Sequence, residues 1–194
     1  MKRKILHFFS SVISSLLIFL LPMFSLIYNY DFHVLLSKYF SNVQNKFILR
    51  HIVRYFRGEI SINNVFFTEQ AIKHLQDVKI LIIRLQVFIF ILFVLLIILI
   101  IIYERHRIKF PMRKTSMFSF SIIGFFILFL LTFKKSFYYF HKLFFSNKLW
   151  LFSNDALLVN LYTQDFFKWF LTISLSISFI ITIILFIFSK ENSK

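Results

Sequence analysis

The side chains of this chain that titrate near neutral pH are its six histidines, and two of them stand where chemistry is expected. His74 lies six residues before one long apolar stretch and His141 a similar distance after another. At about 1.5 Å per helical residue, both fall one or two turns beyond the same edge of those stretches. There they can converge. His74, Asp77, Leu81 and Arg84 step by three, four and three residues and so share one helix face. A carboxylate one turn from an imidazole can fix its tautomer and stabilise the imidazolium, as a general base requires. Arg84, about a turn inside the apolar stretch, either binds a phosphate or ester oxygen or snorkels to headgroups. A competing reading makes His74, Asp77 and His141 a three-ligand zinc site with an open position, although no HExxH pair supports it.

The other candidates are weaker. His7 and His106 sit in basic surroundings, and His33 and His51 have no acidic neighbour at helical spacing, so all four read as ordinary interfacial residues. A serine nucleophile at Ser146 or Ser153 lacks a G-x-S-x-G elbow, and 2 Gly in the whole chain leave little room for a glycine-built oxyanion turn. With 0 Cys there is no disulfide, thiol nucleophile or thiolate metal site. No Walker loop, kinase motif or Rossmann fingerprint is present, so neither a nucleotide nor any other cofactor is expected.

These residues must be positioned by membrane helices. The 194 residues are 59% hydrophobic with 31 Phe, and the apolar residues come in unbroken runs, whereas a soluble domain is about 45–50% apolar with periodic stripes. This composition defines an all-α integral membrane protein and excludes disorder, collagen-like repeats and a soluble enzyme. The net charge of +15 reports topology and contact with anionic membrane phospholipids, and no nucleic acid is expected as a partner. A crossing needs roughly 20 apolar residues. Four stretches qualify, from about Ile5 to Tyr28, Ile80 to Tyr103, Ser116 to Phe133 and Trp169 to Phe188, within a single membrane domain spanning residues 1–194. No small-residue cleavage site follows the first, which reads as a retained helix.

Basic residues set the expected orientation. Lys2, Arg3 and Lys4, then Arg105, Arg107, Lys109, Arg113 and Lys114, then Lys190 and Lys194 fall on one side, which is the cytoplasm, with both termini there. The loops from about Asn29 to Lys79 and Lys134 to Lys168 are then extracytoplasmic. In the first, Leu35, Leu36, Tyr39, Phe40 and Val43, then Phe47, Ile48, Ile52, Tyr55 and Phe56, recur at helical spacing and predict short amphipathic helices broken by Gly58. Thr68 is the expected N-cap of a helix that starts at Glu69 and runs through His74 into the second span. The second loop is aromatic almost throughout, with Phe137, Tyr138, Tyr139, Phe140, Phe144, Phe145, Trp150 and Phe152 suited to the headgroup level. A transporter is disfavoured, because the spans carry no internal repeat and almost no ionisable residues at mid-membrane.

The stretch Phe67-Thr68-Glu69-Gln70-Ala71-Ile72-Lys73-His74-Leu75-Gln76-Asp77-Val78-Lys79 resembles the His-Leu-x-Asp-Val-Lys motif of the bacterial lipoprotein intramolecular transacylase family. Phe140-His141-Lys142-Leu143-Phe144-Phe145-Ser146-Asn147 with Leu149-Trp150-Leu151-Phe152 resembles its second motif, and Phe166-Phe167 the pair before its last span. The chain departs from the family's Asp-Leu-Ile and Pro-Glu stretches at Val159-Asn160-Leu161-Tyr162 and Thr163-Gln164-Asp165. The resemblance implies a diacylated lipoprotein as substrate. The sn-2 acyl chain of its diacylglyceryl cysteine moves to that cysteine's α-amine, giving an N-acyl lyso-lipoprotein without an external acyl donor. On that chemistry His74, oriented by Asp77, is the base, and His141 stabilises the oxyanion or protonates the leaving glycerol oxygen, or the two exchange roles. Lys73, Arg84, Tyr139 and Trp150 are the expected substrate contacts, with solvated or snorkelling side chains as the alternative for the first three. A non-catalytic lipid- or lipoprotein-binding scaffold is the second reading.

Overall fold

The computed structural model describes residues 2–63 and 65–191; Lys194, part of the basic tail behind the expected orientation, lies outside them. The regular elements among the described residues are α1 (Lys2–Ile27), α2 (Tyr30–Phe40), α3 (Lys46–Phe56), α4 (Glu69–Arg105), α5 (Met112–Leu131), α6 (Phe133–Phe144), α7 (Leu157–Leu161) and α8 (Gln164–Glu191). Four of them, α1, α4, α5 and α8, are long and apolar enough to cross a membrane. At 37 residues α4 is about 55 Å long, well beyond a hydrocarbon core of about 30 Å. Its apolar run from Ile80 to Tyr103 is enough for the crossing, so the turns carrying Gln70, His74 and Asp77 precede the span.

The chain folds as two compact units. The first comprises Met1–Met23, Gln86–Leu128 and Ile173–Lys194, which hold most of the apolar helix length. Its polarity is inverted relative to a soluble core: Ser10, Ser11, Ser15, Ser116, Ser174, Ser178 and Thr182 are fully buried, while Phe90, Ile101 and Phe125 are more than half exposed. Lipid tails remove the hydrophobic drive between helices, so small side chains and interhelical hydrogen bonds hold them. Ser15 donates to the carbonyl of Thr115 at 2.9 Å and Ser178 to that of Ile18 at 3.0 Å. Phe19 stacks on Phe126 with ring centres 4.3 Å apart.

The second unit comprises Phe24–Leu85 and Phe129–Thr172. Ile48, Leu49 and Ile52 of α3, Ala71, Ile72 and Leu75 of α4, and Leu158 and Leu161 of α7 form its apolar core. The expected amphipathic helices are α2 and α3, each capped by an asparagine whose side chain accepts a backbone N–H, Asn29 from Phe32 and Asn45 from Ile48. Gly58 ends α3's turn at φ +79°, a conformation glycine adopts without strain. Thr68 caps α4 as expected, its Oγ1 accepting from the Ala71 N–H at 3.3 Å.

The aromatic loop differs from expectation. The third apolar helix stops at Leu131, and α6 occupies Phe133–Phe144, at the start of what was expected as an aromatic loop. Phe133, Phe137 and His141 step by four residues and line up on one side of α6. Aromatic density alone signals an interfacial location; the four-residue step is the signal for the helix.

Candidate active site

Every group described below belongs to the second unit. The buried, apolar-packed face of α4 carries His74, and α6 carries His141. Their ring centres lie 6.1 Å apart with planes tilted by 30°. Aromatic rings wall the pair: Phe145 is 5.1 Å from His74 and 5.5 Å from His141, Phe152 is 5.5 Å from His74, and Trp150 is 5.2 Å from His141. His74 is 7% exposed.

Burial sets both protonation states. The His74 imidazolium is disfavoured first by loss of water and next by the charge of His141, against the opposing pull of Asp77, and its pKa drops to about 4. His141 is lowered too, again by burial, with the Phe137 carbonyl opposing. Both imidazoles are therefore neutral at pH 7. Nδ1 of His141 lies 2.8 Å from the carbonyl oxygen of Phe137, which can only accept, so the proton of neutral His141 sits on Nδ1 and the lone pair on Nε2. Among the described residues Nδ1 of His74 is buried with no hydrogen-bond partner.

Asp77 is bonded elsewhere than the motif spacing suggests. Its Oδ2 accepts from Nδ2 of Asn147 at 2.8 Å, and among the described residues no hydrogen bond joins it to His74. Asn147 was not singled out for any role by the motif. Its Oδ1 accepts the Leu149 N–H at 3.0 Å and its carbonyl accepts Nε1–H of Trp150 at 3.0 Å. One turn before His74, Gln70 donates to the carbonyls of Leu149 and Leu151 at 3.1 and 3.0 Å. Gln70, His74 and Asp77 thus share the α4 face on which the segment from Asn147 to Phe152 rests.

The remaining expected contacts separate. Trp150 lies against His141. Lys73 is exposed and pairs with Glu69 at 2.7 Å, and Tyr139 is 63% exposed with its ring against Tyr138. Arg84 is exposed and lies ten residues beyond His74, about 15 Å along the helix. Among the described residues no three His, Asp or Glu side chains group closely enough to hold a metal ion.

A further buried histidine was read as interfacial. His33 is 5% exposed, and its Nδ1 lies 3.0 Å from the Tyr162 hydroxyl among Phe32, Phe166 and Phe170. Burial lowers its pKa to about 4 and raises that of Tyr162. Tyr162 stacks on Phe167, Phe167 makes a tilted contact with Phe137, and Phe137 makes a tilted contact with His141 with centres 4.3 Å apart.

Four apolar helices and two facing neutral imidazoles among aromatic rings define an integral multi-pass membrane protein with a paired-histidine site. The chain belongs to the lipoprotein intramolecular transacylase Lit family, whose model matches residues 4–167. The structure of the membrane integral lipoprotein intramolecular transacylase Lit from Bacillus cereus is 18% identical, with 97% of this chain and 94% of that chain covered at a TM-score of 0.79. A histidine-to-alanine variant of that protein gives 17% identity, 98% and 96% coverage and a TM-score of 0.76. At such identities the likeness concerns the fold. Comparison with curated proteins returns no match.

Proposed function

We propose that this protein moves the sn-2 acyl chain of a diacylglyceryl-modified N-terminal cysteine, on a diacylated bacterial lipoprotein, to the α-amine of the same cysteine. Family membership supports the substrate and the intramolecular transfer. The observation that carries the chemistry is the tautomer held by Phe137, which leaves a lone pair on Nε2 of neutral His141 beside His74. An α-amine with pKa near 8 must shed a proton to attack an ester, and an imidazole is suited to accept it.

Of the two role assignments, this geometry favours His141 as base. As the amine nitrogen attacks the ester carbonyl, one N–H proton passes to Nε2 of His141. Neutral His74, with Nδ1 enclosed and unpartnered, presents Nε2–H, which keeps its proton and donates a hydrogen bond to the oxyanion. Collapse breaks the ester C–O bond, and the glycerol oxygen takes the proton back from His141. An ester becomes an amide with no added reactant. Both reacting groups ride on one substrate, and holding them in near-attack geometry supplies up to about 7–11 kcal/mol. The basic segments on the opposite side from the histidine-bearing loops support cytoplasmic termini and a site at the outer leaflet, where membrane phospholipids surround the substrate.

Expression in a bacterium that leaves its lipoproteins diacylated, followed by mass spectrometry of an N-terminal lipopeptide, tests the function. Total acyl mass is predicted to stay constant while fragment ions change to N-acyl cysteine with monoacylglycerol. An unchanged diacylglyceryl peptide with the protein present in the membrane contradicts it and favours a non-catalytic binding scaffold.

A further inference from the structure

Asp77 and Asn147 are seventy residues apart in the chain, yet among the described residues they form the one side-chain to side-chain hydrogen bond that ties the segment bearing Trp150 and Phe152 to the helix bearing His74. Among the described residues, every other hydrogen bond of this segment is local or runs from Gln70 to its backbone. Asn147 is engaged at three atoms: Nδ2 donates to Asp77, Oδ1 accepts the Leu149 N–H, and the carbonyl accepts the Trp150 indole N–H. The rings that wall the two imidazoles, Phe152 on His74 and Trp150 on His141, hang from this segment. Asp77 in turn makes its hydrogen bond to Asn147 and none, among the described residues, to the histidine one turn away.

We propose that Asp77 and Asn147 are positioning residues forming a latch: the Asp77 carboxylate acts through Asn147 to seat the Asn147–Phe152 segment over the histidine pair, and does not serve as the orienting partner of His74. The inference rests on the proposed transacylase reading for its kinetic arm only. A hydrogen bond to a charged group in a partly buried site holds such a segment by about ten- to a hundredfold in equilibrium.

Exchange of the two groups separates a latch from a charge effect. In Asn147→Asp two carboxylates face each other and the latch opens. In the double variant Asp77→Asn, Asn147→Asp the amide and the carboxylate change places, so Asn at 77 donates to Asp at 147, while the Leu149 N–H keeps an acceptor. The carboxylate has then left the His74 helix.

The experiment uses the full-length protein in lipid nanodiscs in a Trp169→Phe background, leaving Trp150 as the one tryptophan of the chain. The probe is a synthetic diacylglyceryl-cysteine lipopeptide. Asn147→Asp is predicted to red-shift Trp150 emission and to lower kcat about tenfold or more. The double variant is predicted to restore the emission and to recover at least about tenfold of that rate. A double variant no faster than Asn147→Asp overturns the latch in favour of a direct effect on His74. An unshifted emission in Asn147→Asp also overturns it. Wild-type protein without transacylase activity refutes the functional reading instead, and the emission arm still decides the latch.

Discussion

Nδ1 of His141 donates to the carbonyl oxygen of Phe137 at 2.8 Å, one turn back along the same helix. This backbone bond fixes the imidazole without any carboxylate, and it leaves Nε2 as the ring's basic atom. Burial keeps the ring neutral, so it is ready to accept a proton at pH 7. His141 therefore needs no acidic partner to choose its tautomer.

Replacing His141 or His74 by Gln removes proton transfer or oxyanion donation while keeping an amide of similar reach. Each is predicted to lower the acyl-transfer rate by about 10²–10⁴-fold. Thermal unfolding of each variant near the wild-type midpoint would assign the loss to chemistry. Retention of more than a tenth of the rate by His141→Gln would contradict its role as base.

Acid should destabilise the protein through its buried histidines. His33 and His74 fall from the ordinary 6.5 to about 4 in the folded state, so between those values the unfolded chain binds more protons and stability rises with pH. The stabilisation is complete above pH 6.5 and is lost as pH falls towards 4, on the order of 3 kcal/mol for His33. Unfolding midpoints in detergent are predicted to fall between pH 7 and 4.5, and to fall less in His33→Gln. An equal acid loss in that variant would show that His33 titrates normally.

Trp150 touches both the His141 ring and the Tyr138 ring, and its indole N–H is bonded to Asn147. Trp150→Ala is predicted to slow transfer by about tenfold, given roughly 0.5–1.5 kcal/mol per aromatic contact. Trp150→Phe, which keeps a ring but not the N–H, should fall between it and wild type.

Ser178 is fully buried and donates to the Ile18 carbonyl. Ser178→Ala loses one interhelical bond and should cost about 0.6 kcal/mol, whereas Ser178→Leu overpacks the contact at about 1–3 kcal/mol. Thermal unfolding in detergent distinguishes the two. A stabilised leucine variant would mean that hydrophobicity, not close approach, holds these helices.

Much of this was legible before any coordinates. Runs of apolar residues mark the four long helices, because nothing but membrane burial requires them. His74 and His141 could be paired because each keeps a similar distance from the end of such a run. Local patterns do not carry contacts made across the chain. Asp77 has His74 as its obvious neighbour at helical spacing, yet the group that meets it is Asn147, seventy residues on. His33 looks solitary for the same reason, since its partner Tyr162 lies 129 residues away, in the stretch that departs from the family pattern. In α6 the four-residue step of Phe133, Phe137 and His141 was present, but aromatic density outweighed it.

The central claim is that the acyl chain moves within one substrate molecule through the histidine pair. The most direct measurement mixes two synthetic lipopeptides with the purified protein in nanodiscs. One carries a deuterated sn-2 chain on an isotopically heavy peptide, and the other is unlabelled in both. Mass spectrometry of the N-acyl products is predicted to find deuterated chains on heavy peptides and unlabelled chains on light ones, with no crossed species and no product from His141→Ala or His74→Ala. Crossed products, or undiminished transfer by either alanine variant, would contradict the account.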